Sequence, residues 1–490
     1  MNIWLRNEAA RCLLCHEAPC AAACVEGLAP DARLRSLRFD NPPLFAGTVF
    51  CADCAAPCEP ACLHPDFPIR IKTALTQAAH LAEPAGREDA ATARADISMD
   101  FCGVSCMNPF FLGSSVVASS YAMCANAFEA GWGGLVYKTI SMLSLREVSP
   151  RFDAIGKEGT PFVGFRNLEQ LSTQPLQNEL DTLSRLKRDY PEHVVVASIM
   201  GRNEAEWTEL AALVTAAGVD MVECNFSCPH MDDEALGMAV GCDPQAVAEF
   251  TKATKLGTHL PVLAKMTPNV TDMTVPALAA VRSGADGIAA INTIKSLTGI
   301  LEESSLISGK TAVSGYSGKA VKPIAQRFVA EMRNNQALHG IPISGIGGIE
   351  SWYDAAEYFA LGCENVQIAT AVMQYGYRII DDLIDGLERF IAASGYASLR
   401  EFVGSRFAAQ VATGELDRNS ITYPQIDREK CTGCGRCHIA CRDGGHQAMR
   451  FAQRTPAIDG RRCVGCHLCS LVCPAKAIGK SKRVILPRES

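Results

Sequence analysis

Sixteen of the chain's 23 cysteines fall in four tight runs, two near each end. The carboxyl-terminal runs are Cys431-x2-Cys434-x2-Cys437-x3-Cys441 and Cys463-x2-Cys466-x2-Cys469-x3-Cys473-Pro474. This is the bacterial ferredoxin spacing written twice, in which the fourth cysteine of each run ligates the other cluster. It assigns Cys431, Cys434, Cys437 and Cys473 to one [4Fe–4S] cluster, and Cys463, Cys466, Cys469 and Cys441 to a second. Arg442 follows Cys441 where a proline is usual. The amino-terminal runs are Cys12-x2-Cys15-x4-Cys20-x3-Cys24 and Cys51-x2-Cys54-x3-Cys58-x3-Cys62. Zinc also uses paired Cys-x-x-Cys ligands, and eight cysteines would fill two zinc sites. Three or four thiolates in one short loop favour an iron–sulfur cube, with zinc as the alternative.

The middle of the chain offers a different chemistry in Asn225-Phe226-Ser227-Cys228-Pro229-His230. Asn225 and Ser227 can hydrogen-bond a small polar ring, and Cys228 can give a proton or act as a nucleophile. Pro229 ends the preceding strand and stiffens the exit. The Met- and Gly-rich stretch from His230 to Asp243 suits a lid. A lone cysteine beside a turn is more often a buried structural one, so the reading depends on what surrounds it.

Those residues need a scaffold that brings them together. From Ile97 to about Ala393 the pattern is strand, loop, helix, repeated. Candidate strands are Pro109–Ser115, Gly134–Ile140, Val194–Met200, Met221–Phe226, Pro261–Thr267, Gly287–Thr293, Pro342–Gly345 and Asn365–Ala371, with amphipathic helices such as Glu204–Ala217 between them. This predicts an α/β fold, a (β/α)8 TIM barrel, flanked by a helical amino-terminal iron–sulfur domain and a carboxyl-terminal 2[4Fe–4S] ferredoxin-like domain. The expected domains are 1–80, a linker 81–96, the barrel 97–397, and a segment 398–490 containing the ferredoxin-like domain.

Barrel chemistry lies at the carboxyl ends of the strands. Those ends carry Ser114-Ser115, Lys138-Thr139, Asn225-x-Ser227-Cys228, Lys265-x-Thr267-x-Asn269, Asn292-Thr293, Gly347-Gly348 and Ala369-Thr370. The last two resemble the phosphate grip that barrels build after strands seven and eight, where glycine amides approach an anion closely. A phosphate-bearing cofactor with a large planar head fits the set. Lys138 and Lys265 near its ring would stabilise a reduced, anionic flavin.

A formal net charge of −7 argues against a nucleic-acid partner. Met1 to Glu8 has no long apolar core, and no apolar run approaches the ~20 residues that span a bilayer. The expectation is a cytoplasmic protein whose cysteines are reduced rather than paired in disulfides.

With these parts placed, residues 97–490 resemble the pyrimidine-reducing subunits of the NAD-dependent dihydropyrimidine dehydrogenase family. The strings that carry the resemblance include Asn108-Pro109-Phe110, Glu129-Ala130-Gly131-Trp132-Gly133, Asn225 to His230, Ala264-Lys265-Met266-Thr267-Pro268-Asn269 and Asn292-Thr293. The resemblance implies FMN bound by Ser114, Lys138, Thr139, Lys265, Gly318, Gly347, Gly348, Ala369 and Thr370. It implies a pyrimidine held by Asn167, Asn225, Ser227, Asn292 and Thr293, and Cys228 as general acid. The implied reaction is hydride transfer from the flavin to one alkene carbon of uracil or thymine, with Cys228 protonating the other.

Residues 1–80 resemble the amino-terminal iron–sulfur domain of that family, which holds up to two further clusters. The position where the family can use a Gln ligand falls at Leu75 here, leaving Cys51 as a candidate eighth ligand. Two rival readings are a dihydroorotate dehydrogenase, which the fused ferredoxin domain argues against, and an electron-transfer protein with an inactive barrel, which the intact Asn225, Ser227, Cys228, Asn292 and Thr293 set argues against. NADH delivers two electrons together and needs a flavin or similar acceptor beside it. The chain has no Gly-x-Gly-x-x-Gly fingerprint. The expected partner is therefore a separate FAD- and NAD-binding reductase subunit docking on residues 1–80. That makes a hetero-oligomer in which electrons pass through the amino-terminal clusters to the carboxyl-terminal pair and on to FMN.

Overall fold

The computed structural model describes residues 3–41, 54–82, 93–143, 146–157, 160–227, 237–301 and 309–486. The chain forms two compact units, one of Ala10–Ala409 and one that joins Met1–Ala9 to Gln410–Ser490.

The larger unit is built on a closed eight-stranded barrel. Its strands are β1 (Phe110–Leu112), β2 (Gly134–Ile140), β3 (Val194–Ile199), β4 (Met221–Asn225), β5 (Val262–Lys265), β6 (Gly287–Ala290), β7 (Ile343–Ile346) and β8 (Asn365–Ile368). Each pairs in parallel with the next, and β8 closes on β1 through Val366–Phe110, Gln367–Phe111 and Ile368–Leu112. The strands are buried on both faces, as parallel strands covered by helices must be, and β3 accordingly reads Val-Val-Val-Ala-Ser-Ile. Between strands, Leu180, Leu183 and Leu186 bury one face of the helix Leu176–Asp189. Polar caps begin others: Asn203 accepts from Glu206 N at 3.1 Å, and Ser351 forms a capping box with Asp354.

Side chains alternate along a strand, so each contributes every second residue to the interior. The lower interior is apolar: Phe111, Val136, Val196, Met221 and Leu263 pack with Phe101 and Cys106 from the hairpin Met99–Phe101 and Val104–Cys106, which plugs that end. One step higher the same alternation places Lys138, Ser198, Glu223, Lys265 and Gln367, all buried.

Two insertions not anticipated from the sequence form an antiparallel four-stranded sheet, in the order Ile294–Ser296, Ser314–Ser317, Thr160–Asn167, Phe152–Lys157. They follow β6 and β2 and bring Phe152, Phe165, Asn167 and Tyr316 to the carboxyl end of the barrel.

The unit continues past the boundary expected at 397. Leu399 N donates to Asp96 O at 2.7 Å, Gly404 N to Phe359 O at 2.8 Å and Arg406 N to Ala360 O at 3.1 Å. Residues 10–80 group with this unit. Arg35 binds Asp382 at 2.6 Å and Asp381 at 3.0 Å, Ser36 Oγ donates to Asp382 Oδ1 at 2.6 Å, and Asn41 donates to Asp385 at 2.9 Å. All three acids lie on the barrel helix Ile380–Ala393. Most of the expected linker, residues 83–92, lies outside the described residues.

In the smaller unit Ser420–Ile426 pairs antiparallel with Ile478–Ile485, and Met449–Ala452 with Thr455–Ile458. Its buried core is Cys437, Met449, Cys469 and Ile478. Among the described residues no helix is long and apolar enough to cross a membrane.

Candidate active site

The carboxyl ends of the strands open into a pocket of about 1100 Å³, continuous with solvent. It gathers Ser114, Lys138, Thr139, Asn167, Asn225, Lys265, Asn292, Thr293, Gly318, Gly347, Gly348, Ala369 and Thr370. Ser227 lies just behind the lining, fully buried. Cys228 falls outside the described residues, as does the expected lid from His230 to residue 236; the rest of that stretch contains the short helix Met238–Cys242. This helix rests on the end of β4 because Gly241 has no side chain: a Cβ there would lie 2.0 Å from Phe226 O.

One row of hydrogen bonds runs along the pocket wall. Asn292 Nδ2 donates to Ser227 Oγ at 2.7 Å, Ser227 Oγ donates to Asn225 Oδ1 at 3.0 Å, and Asn225 Nδ2 donates to Thr139 Oγ1 at 2.9 Å. Thr139 Oγ1 also lies 3.0 Å from Ser198 Oγ and 3.2 Å from Ser114 Oγ. Asn269, which spacing alone placed at a strand end, donates to Thr293 O at 3.2 Å and accepts from Lys295 N at 2.8 Å.

Both pocket lysines face carboxylates that the sequence reading did not single out. Lys265 Nζ sits 3.4 Å from Glu223 Oε1, and Gln367 Nε2 donates to Glu223 Oε2 at 3.1 Å. Lys138 donates to Glu169, which Arg151 also meets at 2.9 Å, and Glu147 stands 3.8 Å from Lys138. Glu223 was legible as a charged residue inside an apolar strand; Glu169 and Glu147 carried no such signal. Glu350, also on the pocket wall, has its carboxyl pushed up to about 7 by burial, with Lys319 and Arg38 pulling the other way and Asp354 adding to the rise.

The pocket suits a phosphate-bearing flavin. Gly347 and Gly348 turn with φ of +128° and +68°, and a Cβ on Gly348 would lie 2.7 Å from Lys322 Cβ and 2.9 Å from Lys322 N, so glycine is required there. Ser317 and Thr370 hydroxyls meet at 2.9 Å beside that turn. Gln367 Oε1, buried at the pocket, has no hydrogen-bond partner among the described residues.

Twelve of the cysteines meet around three hollows. Cys431, Cys434, Cys437 and Cys473 line one, and Cys441, Cys463, Cys466 and Cys469 a second. The third is lined by Cys12, Cys15, Cys20 and Cys62, three from the first amino-terminal run and one from the second, and Cys24 is not among its lining residues. Cys24 accepts from Leu28 N at 3.4 Å and Cys54 from Ala56 N at 3.3 Å, bonds typical of turns that wrap a thiolate. Cys58 is buried, Cys51 lies outside the described residues, and Leu75 is buried in the helix Ile71–Ala82 without a ligating atom.

This barrel and the two carboxyl-terminal hollows match known families. The family model for dihydroorotate dehydrogenase matches residues 97–391, and that for the 4Fe-4S dicluster domain matches residues 424–479. The NAD-dependent dihydropyrimidine dehydrogenase subunit PreA of Escherichia coli (strain K12) is 54% identical over 364 residues, 74% of this chain and 89% of that one. The chain belongs to the dihydropyrimidine dehydrogenase family. The chloroplastic dihydropyrimidine dehydrogenase (NADP(+)) of Arabidopsis thaliana is 38% identical over 331 residues, 64% of this chain and 78% of that one. The catalytic subunit of dihydroorotate dehydrogenase B (NAD(+)) of Pyrococcus abyssi is 36% identical over 313 residues, 63% of this chain and 98% of that one. As a dihydropyrimidine dehydrogenase family member the chain is a flavin-type oxidoreductase whose barrel carries a 4Fe–4S dicluster domain.

Proposed function

We propose that this enzyme reduces the 5,6 double bond of uracil or thymine in the cytoplasm, with electrons from NADH that reach it through a partner subunit. The observation that carries the reading is the row of amides and hydroxyls, Asn292, Ser227, Asn225 and Thr139, along one wall of the flavin-type pocket. Asn side chains both donate and accept, which matches the alternating N–H and C=O groups of a pyrimidine edge. Asn167 and Thr293 extend that edge.

FMN would be held by Ser114, Lys138, Thr139, Lys265, Gly318, Gly347, Gly348, Ala369 and Thr370, and bound there it supplies the hydride. The chain's own residues do the rest. The amide row fixes the ring over the pocket floor, and Lys265 supplies positive charge from below. Cys228 gives its thiol proton to the alkene carbon that does not receive the hydride. A thiol with an ordinary pKa of ~8.5 is mostly protonated at neutral pH and so is a ready acid. Two electrons and two protons are thereby added to the ring.

The clusters lie in the four-cysteine hollows of the ferredoxin unit, with up to two more in residues 10–80. NADH itself needs a flavin partner, and a separate FAD- and NAD-binding reductase subunit supplies it, docking on the amino-terminal segment. A second reading, dihydroorotate oxidation, is favoured by the family model and by the Pyrococcus relative.

The full chain, reduced anaerobically with dithionite, should be reoxidised by uracil or thymine and not by orotate. Reoxidation by orotate alone would establish the second reading. NADH added to the chain without a partner should leave the flavin absorbance unchanged; rapid bleaching would remove the partner from the scheme.

A further inference from the structure

The helix Thr370–Tyr375 spans the ground between the flavin pocket and the first amino-terminal cysteine hollow. Its first residues, Thr370, Ala371 and Met373, line the pocket. At its far end Tyr375 packs edge-on against Phe39 at 5.2 Å and lies under the Arg38 guanidinium at 5.1 Å. At 1.5 Å per residue this six-residue helix is about 9 Å long.

Two guanidiniums hold the cysteine loop from this side. Arg378, in the turn after the helix, donates from Nη1 to Cys15 O at 3.2 Å and from Nη2 to Leu14 O, while its Nε donates to Tyr375 O at 3.3 Å. Arg38 Nη1 donates to Cys12 O at 3.2 Å. The loop Cys12 to Cys15 is thus gripped at three of its four carbonyls by half-buried positive charge. Nothing in pyrimidine binding or in thiol ligation uses these contacts.

We infer that Arg378 and Arg38 form a clamp that fixes the Cys12–Cys15 loop beside the flavin pocket and raises the reduction potential of the cluster held there. The inference rests on the reading that Cys12, Cys15, Cys20 and Cys62 hold a [4Fe–4S] cluster. On reduction such a cluster takes up one electron and gains one negative charge, while the guanidiniums keep their protons. Positive charge close by, shielded from water by Tyr375 and Phe39, favours the reduced state. The grip on the carbonyls also polarises the peptide groups of the loop, strengthening their N–H bonds toward sulfur. Asp31 lines the same hollow and Glu350 interacts with Arg38, and both carboxyls oppose the effect of the two guanidiniums.

The test is a redox titration of the full chain followed by electron paramagnetic resonance, with iron and sulfide measured on the same samples. Cys12→Ala identifies the component that belongs to this hollow by difference. In Arg378→Gln, iron and sulfide should stay at the unaltered level. At the unaltered midpoint, the ratio of reduced to oxidised cluster should fall roughly tenfold, about 59 mV for one electron. Arg378→Lys, which keeps the charge, should restore most of it. A cluster present in Arg378→Gln with an unmoved midpoint overturns the inference. Should Arg378→Gln lose the cluster, Arg38→Gln, which leaves the Arg378 fork in place, is read for the same two outcomes. If Cys12→Ala removes no signal, the cluster reading beneath the inference fails, and the inference with it.

Discussion

The Asn292 amide donates to the Ser227 hydroxyl at 2.7 Å, which ties the end of β6 to the end of β4 across the strand between them. Because Ser227 passes that bond on to Asn225 Oδ1, both amides present a fixed face to the pocket. Ser227→Ala leaves Asn292 Nδ2 short of a partner, while Asn225 Oδ1 keeps only the Ser227 backbone N–H at 3.2 Å. The cost of a buried group left unpaired is about 1–3 kcal/mol. The pyrimidine KM should rise and kcat/KM fall by roughly 5- to 150-fold, with flavin content unchanged. Steady-state kinetics beside a flavin assay checks this, and an unaltered KM would separate the row from substrate binding.

Cys228→Ala removes the proposed proton donor without touching the phosphate grip. Flavin should remain bound while pyrimidine reduction falls by roughly 10²- to 10⁴-fold, the usual worth of a general acid. Cys228→Ser, a far weaker acid, should recover little. Near-normal turnover in either variant would move the proton to another group.

Lys265 and Glu223 form an ion pair in the barrel interior, with Glu223 fully buried. Removing one partner of such a pair strands the other charge and costs about 3–5 kcal/mol. Lys265→Met should therefore lower the urea midpoint markedly. The double variant Lys265→Met with Glu223→Leu should regain much of the loss. Additive losses would show that the two side chains are energetically independent.

Glu350 gives the site a pH dependence. Its folded pKa of about 7 lies above the ordinary 4.5, so the folded state holds its proton more tightly than the unfolded chain does. Stability from this group is complete below pH 4.5 and is lost as pH rises from there through 7. Glu350→Gln should accordingly be more stable than the unaltered protein above pH 7, by on the order of 2 kcal/mol, and the advantage should disappear toward pH 4.5. Two residues from Gly348, the charged form also opposes an anion in the Gly347–Gly348 turn. FMN affinity should weaken above pH 7 and lose that dependence in Glu350→Gln, as fluorescence titration would register.

The barrel was readable from the sequence because parallel strands buried on both faces are runs such as Val194–Ile199, and because polar residues cluster where those runs stop. The ferredoxin hollows were readable because eight cysteines at fixed spacing restrict what can fold around them. The hairpin strands Phe152–Lys157 and Thr160–Asn167 were not anticipated: they break the strand–helix alternation, and the first of them is largely exposed. Pairings across the fold were also hidden. Glu223 meets Lys265 only because β4 and β5 align Asn225 with Lys265. Arg35 meets Asp382 across 347 positions, and Cys62 joins Cys12, Cys15 and Cys20 from a run that looks self-contained. Linear spacing says which thiols are close along the chain, and the helices between the runs decide which are close in space.

That sharing of thiols has a consequence for how the molecule matures and fails. In each hollow three cysteines come from one run and the fourth from another: Cys62 with Cys12, Cys15 and Cys20, Cys473 with the Cys431 run, and Cys441 with the Cys463 run. If clusters fill these hollows as proposed, no run could complete its site by itself during synthesis, and mineralisation would wait until the later run has left the ribosome. Each loaded site would then act as a rivet between distant stretches of polypeptide. Oxygen damage at one exposed corner, such as Cys434 or Cys466, would then loosen both stretches together instead of leaving a local scar.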